Sequence, residues 1–210
     1  MSGSSDAEIS YPDLVTPESL LGIGVGLALA AAAGFRVFVP LLVLSLAART
    51  GWIEVSPSFE WLATTSASVA LATAMVLEIA AYYVPFFDNL LDTIAAPVAV
   101  LAGIVASASV LTDLPPWLQY SIAIIGAGGT AGAVHASTSL LRLKSSATTA
   151  GLGNPILATL ELAGSVLIAL LAVLAPLLAL AAVALIVWLV ARRVTASLAN
   201  ARGAAQSSTR

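Results

Sequence analysis

The stretch at residues 20–40, LLGIGVGLALAAAAGFRVFVP, constrains this chain more than any other. Fourteen residues, 20–33, carry no charge; then Gly34, Phe35 and Arg36 follow, and Pro40 comes four residues after the arginine. An apolar run interrupted by glycine, a permanent cation and proline reads as a broken transmembrane helix, because lipid tolerates irregular backbone only where protein or a water cavity covers it. An ionisable residue at membrane depth marks a functional-site candidate. The competing reading is an arginine that snorkels to the interface or holds a structural ion pair.

The rest of the composition agrees. Of 210 residues, 60% are hydrophobic and 9% charged, against roughly 25% charged in a soluble domain. With a mean hydropathy of +1.02, this is the composition of a polytopic membrane protein. The apolar residues are mostly Ala, Leu and Val, which let helices approach closely. The chain has no cysteine, which excludes disulfides, thiolate chemistry and cysteine-held metal. Residues 1–19 contain four acidic and no basic side chains, unlike the basic start of a signal peptide.

Taken in order, residues 1–16 read as a disordered acidic tail and 17–194 as a transmembrane domain, with a polar cytoplasmic tail at 195–210. Thr16, Pro17 and Glu18 form a helix start: a capping hydroxyl, a first-position proline and an acid at the positive end of the dipole. The first helix is expected at 17–48, broken between Gly34 and Pro40. Its 29 residues from 20 to 48 would measure about 43 Å, so a tilt, a break or a half-helix hairpin is required across a core of ~30 Å. Further helices are expected at 60–84, 93–111 and 117–142, with Pro97 in the first turn of the third. KSSATTAGLGN at 144–154 reads as a loop, and Asn154 and Pro155 as the cap and first residue of the fifth helix. Residues 156–190 divide into two short helices just before Pro176. Six crossings place both termini on one side. Arg142, Lys144, Arg192, Arg193, Arg202 and Arg210 fall on that side and Arg49 on the other, which makes it the cytoplasm.

Two halves echo each other. Leu77-Glu78-Ile79-Ala80 recurs as Leu160-Glu161-Leu162-Ala163, and Ala96-Pro97 as Ala175-Pro176. Gly22 and Gly26 form GxxxG, as do Gly128 and Gly132. The fold class expected is therefore all-α, with six transmembrane helices in two inverted three-helix repeats, 17–111 and 117–194. The glycine faces of the first and fourth helices also permit a homodimer.

Glu78 and Glu161 are the sharpest chemical signal beside Arg36. Two carboxylates in hydrocarbon can bind a cation, hold a proton or pair with the arginine. Because the arginine cannot shed its proton, a bend at Gly34 is expected to bring Arg36 within salt-bridge distance of Glu78 or Glu161. His135 can join a proton path or make a polar contact between helices. Asp88, Asn89 and Asp92 offer hard oxygen ligands at short spacing, so Glu78, Glu161, Asp88 and Asp92 are the metal candidates. Arg36, Glu78, Asn89, His135 and Glu161 are the candidates for an ion or substrate path. The glycines at 126–132 follow no strand, which argues for helix packing over dinucleotide binding. No cofactor motif, catalytic triad or basic nucleic-acid patch is present, and no enzyme activity is expected.

GFRVFVP at 34–40, LEIAAYYVPFFDNLLDTIAAP at 77–97 and LKSSATTAGLGNP at 143–155 resemble a family of small bacterial integral-membrane proteins catalogued as a domain of unknown function. The resemblance covers roughly residues 20–190 and implies a multi-pass inner-membrane protein. It places Arg36, Glu78, Asp88, Asn89, Asp92 and Asn154 among the patterned positions and implies no activity. The expected function is a small transporter or channel for a cation or proton-coupled solute. The alternative is a non-transporting membrane scaffold or lipid-interacting protein. A polar cavity lined by Arg36, Glu78 and Glu161 would favour the first, and full burial of the three in side-chain pairs the second.

Overall fold

A computed structural model describes residues 16–83 and 87–179, with 181, 185, 188 and 192 beyond them; for residues 87–93 it describes the backbone alone. The described residues are helical, with no strand. The helices are α1 (Pro17–Phe35), α2 (Phe38–Arg49), α3 (Thr65–Tyr82), α4 (Phe87–Val110), α5 (Pro116–Ser121), α6 (Gly128–Thr149) and α7 (Asn154–Leu174). A 3-10 turn at Pro57–Ala63 precedes α3, and a π-helical segment, Ile122–Ala127, joins α5 to α6. Helices α1, α3 and α7 are each long and apolar enough to cross a membrane, which associates the chain with one. The tails at 1–15 and 195–210, and the course of the chain toward 194, lie outside the described residues.

Helix starts follow local chemistry. Thr16 and Ser19 form a reciprocal capping box at α1, with Pro17 in the first turn, as expected. At α7 the cap residue is Gly153, and Asn154 donates from Nδ2 to Ser146 Oγ (2.9 Å) instead of capping. Two expected loops are helical. The backbone is helical from Phe87, so Pro97 sits inside α4 and not in its first turn. Helix α6 runs on to Thr149, and its hydroxyls there avoid competing for the next turn by bonding back to carbonyls one turn earlier, Thr148 to Lys144 (2.9 Å) and Thr149 to Ser145 (2.8 Å). It stops where Ala150 and Gly151 turn left-handed, at φ 51° and 84°.

The break in the first helix is real, and it is a reversal. Arg36 is extended (φ −145°, ψ 122°), and Pro40 falls in the first turn of α2, where a missing N–H costs nothing. Residue pairings then set the direction of each helix. Gly22 lies against Val110 and Leu111, Gly26 against Ser107 and Gly103 against Ala30, so α1 and α4 are antiparallel. Leu27 reaches Gly126, while Gly34 lies against Ala131 and Val134, so α1 and α6 are parallel. Ser165 Oγ donates to the Ala32 carbonyl (2.9 Å) and Arg36 reaches Ala158, so α7 returns antiparallel to α1. Ser45 meets Ser68 and Val37 meets Glu78, which makes α2 and α3 antiparallel. The Ser56 N–H bonds to the Ser109 carbonyl (2.8 Å), tying the chain after α2 to the end of α4, beside the start of α1.

The bundle therefore has two distinct ends. One holds the start of α1, the Ser56 loop and the end of α4. The other holds Arg36, the end of α3, the end of α6 and the start of α7. Of the three options expected for residues 17–48, a tilt, a break or a half-helix hairpin, the helix directions match the hairpin, which corrects the count that took this stretch as one crossing and put Pro17 and the 143–154 segment on the same side. Because α2 turns back, Arg36 reaches the level of Glu78 and Glu161 without being drawn inward from an opposite boundary. The inverted repeat is not reproduced at the matched positions: Pro97 is inside a continuous helix, whereas Pro176 follows a break at Ala175.

Small residues set the spacing. Helix α1 is the most enclosed of the three long apolar helices, lying among α4, α6 and α7 with Ala28 and Ala30–Ala33 all buried. Gly22 and Gly26 face α4, and so do Gly128 and Gly132 through Ile104 and Val100. Both GxxxG faces are thus consumed inside the protomer, which removes the packing argument for a homodimer. A side chain at Gly34 would place its Cβ 2.6 Å from the Ala131 carbonyl oxygen. We expect Gly34→Ala to destabilise the protein by about 1–3 kcal/mol, read as a lower unfolding midpoint in detergent.

The helix directions generate a second expectation. The chain lacks cysteine, so single introduced thiols report cleanly. In intact cells an impermeant maleimide should treat Glu18→Cys and Asp113→Cys alike and Ala147→Cys oppositely. Equal labelling of Glu18→Cys and Ala147→Cys would contradict the α2 reversal.

Candidate functional site

The Arg36 end of the bundle gathers four charges around one aromatic ring. Arg36 (1% exposed) comes from the α1–α2 corner, Glu78 (9%) and Tyr82 (4%) from α3, Arg142 (1%) from α6 and Glu161 (7%) from α7. No two of these helices carry the cluster alone, so it exists only when the bundle is assembled.

Glu78 works on the backbone. Its Oε1 accepts from the Val37 N–H (2.8 Å) and its Oε2 from the Phe38 N–H (3.2 Å). These are the cap and first residue of α2, which has no side-chain cap of its own. A carboxylate from α3 thus supplies the cap in trans, where the positive end of the helix dipole favours an anion. The reversal at Arg36 and the acid at Glu78 are two parts of one device.

Glu161 works on a side chain. Arg142 donates to it twice, from Nε to Oε1 (3.1 Å) and from Nη2 to Oε2. This bidentate geometry is the strongest form of the arginine–carboxylate pair. Arg36 Nη2 stands 3.7 Å from Glu161 Oε2 and donates its hydrogen bond to the Ala158 carbonyl (2.9 Å). The expected approach of Arg36 to a glutamate is therefore present, but Arg142 holds that glutamate more tightly. Both guanidinium carbons sit over the Tyr82 ring, 3.9 Å (Arg36) and 4.2 Å (Arg142) from its centroid, within cation–π range.

The other candidates sort as follows. His135 is buried at the margin: Nδ1 is 3.3 Å from the Gly34 carbonyl, and Nε2 is 3.4 Å from Ser139 Oγ. It borders a cavity of about 460 Å³ lined by Ala96, Pro97, Val100, Gly132, Ala136 and Ser139. None of the four charged side chains lines that cavity. The side chains of Asp88, Asn89 and Asp92 lie outside the described residues. Among the described residues no three His, Asp or Glu side chains converge as metal ligands.

Arg142 and Tyr82 are the site residues that sequence reasoning missed. Arg142 counts in the sequence as a flanking cytoplasmic cation, yet it is enclosed, because α6 continues past it to Thr149. The available signal was spacing: Arg142 lies two turns after His135, and Tyr82 one turn after Glu78, each on the same helix face.

A model of the family described as "Domain of unknown function (DUF4126)" matches residues 23–196. No curated protein and no solved structure matches the chain.

The geometry ranks the couplings. Breaking a buried pair strands the remaining charge, at about 3–5 kcal/mol. Arg142→Met should incur that loss, and adding Glu161→Gln should recover much of it. The Arg36→Met and Glu161→Gln cycle should show a smaller coupling, since that pair shares no hydrogen bond. Thermal unfolding of both cycles in detergent measures the two terms, and equal couplings would contradict the assignment.

Proposed function

The chain belongs to the DUF4126 family, and we propose that it is a non-transporting structural protein of the cell membrane, a helical scaffold pinned by buried charge. One observation carries this reading. Every charge in the Arg36–Glu78–Arg142–Glu161 cluster is enclosed, and each carboxylate is already engaged by two donors of the chain itself. A transport site has to offer its carboxylates to an ion through a water path. Here the 460 Å³ cavity is bordered by His135 and Ser139 among apolar side chains, and by none of the four charges.

In this reading the cluster works as a lock. The α1–α2 corner, α3, α6 and α7 each contribute one piece, so the bundle cannot slide or separate without stranding a charge. Outward-facing apolar side chains, such as Val69, Val76, Leu160 and Leu167, present the assembled helices to lipid. The protein's task is then to hold a fixed helical surface in the bilayer. The transporter for a cation or proton-coupled solute is the competing function.

Reconstitution separates the two. Liposomes loaded in parallel with pH-, Na⁺- and K⁺-sensitive dyes and containing the protein should show no proton, Na⁺ or K⁺ flux above protein-free liposomes, while Glu161→Gln lowers the unfolding midpoint. Flux above that background, abolished by Glu78→Gln or Glu161→Gln in protein that remains folded, would overturn the scaffold in favour of transport.

A further inference from the structure

We propose that the groove between α4 and α6 binds a neutral lipid with one free hydroxyl, of the diacylglycerol type. The groove has room: its cavity of about 460 Å³ falls within the ~300–1,000 Å³ of small-molecule sites. Ala96 and Pro97 on α4 and Gly132 and Ala136 on α6 are too small to close it. Ala96, Pro97 and Ala136 are exposed at its mouth, and His135 forms a buried wall. Its depth follows from α1. The 19 residues of that helix rise about 28 Å, close to the ~30 Å hydrocarbon thickness, and the Gly34 carbonyl at its end meets His135. The wall made by His135 and Ser139 thus lies at the border between acyl chains and headgroups. Val100 and Gly132, which face each other, lie on the side toward the bilayer centre.

The polar groups select the chemistry of the ligand. A carbonyl only accepts, so His135 Nδ1 donates to Gly34 (3.3 Å), and Nε2 of the neutral ring takes the hydrogen of Ser139 Oγ (3.4 Å). Ser139 thereby spends its one donor and keeps lone pairs for the groove it lines. On the facing wall, Pro97 has no N–H for the carbonyl of Thr93, one turn earlier in α4. Both walls therefore offer acceptors, which call for a ligand with an O–H to give. Among the described residues no Lys, Arg, Asp or Glu lines the groove, so nothing there balances a phosphate. A glycerol with two acyl chains and one hydroxyl meets these conditions. It donates, it is neutral, and its hydroxyl lies at the chain–headgroup border while a chain runs inward along Val100 and Gly132.

The full-length protein in detergent tests this with lipids of matched oleoyl chains: dioleoylglycerol, the dioleoyl ester of propanediol, which lacks only the hydroxyl, and dioleoylphosphatidylcholine. The unfolding midpoint should be several degrees higher with dioleoylglycerol than with either of the others, since a ligand bound only by the folded state raises stability. Ser139→Ala, a change at a half-buried position, should remove that advantage. If this variant does not fold, Ala136→Leu, which fills the exposed mouth, takes its place with the same expectation. In the unaltered protein, a diacylglycerol with a photoreactive acyl chain should crosslink within 96–100 of α4 or 132–139 of α6. Equal midpoints for dioleoylglycerol and the propanediol ester would overturn the proposal and leave an ordinary acyl-chain contact. A gain from phosphatidylcholine as large as that from dioleoylglycerol would overturn it as well. So would a dioleoylglycerol gain that persists in folded Ser139→Ala, or crosslinks confined to other helices.

Discussion

A guanidinium keeps its proton under all ordinary conditions, and two of them lie closed inside this bundle. Charges removed from water need partners at short range, or the folded state loses several kcal/mol for each. The arrangement around Tyr82 is the answer to that demand. Glu161 takes Arg142 with both oxygens, Tyr82 offers its ring to both cations, and the Ala158 carbonyl takes the inner edge of Arg36. The positions of α3, α6 and α7 relative to the α1–α2 corner follow from making those contacts together.

Glu78 shows how backbone and side-chain requirements merge. A helix that starts inside an apolar bundle leaves amide donors exposed to a medium that cannot meet them. Val37 has no capping side chain, so the cap arrives from the neighbouring helix. The reversal of α2 is therefore tolerated only while α3 is in place. That dependence makes the corner a tertiary feature, although its proline and extended arginine are local.

Close packing performs the remaining work with very small side chains. Gly26 against Ser107, Gly34 against Ala131 and Gly103 against Ala30 and Ala131 let α1, α4 and α6 approach until backbone nearly meets side chain. In lipid, where apolar surface gains little from association, such contact and the buried polar bonds supply the attraction between helices. The arrangement also explains why the GxxxG faces do not serve a second copy: α4 fills both.

The sequence by itself determined the medium and most helix positions, because hydropathy and proline act locally and need no knowledge of neighbours. The start of α1 at Thr16–Ser19, the break near Arg36 and the break before Pro176 were legible for that reason. The nearness of Arg36 to a glutamate was legible too, since a buried cation requires an anion wherever it lies. Only the tertiary structure decided which glutamate serves which donor, because that depends on helix direction. A proline-containing break reads the same in sequence whether the next helix continues or returns, and here it returns. Reversing α2 moved Arg36 to the end of the bundle where Glu161 lies and gave Glu78 a helix to cap, while the continuation of α6 to Thr149 turned Arg142 from a flanking charge into the closest partner of Glu161.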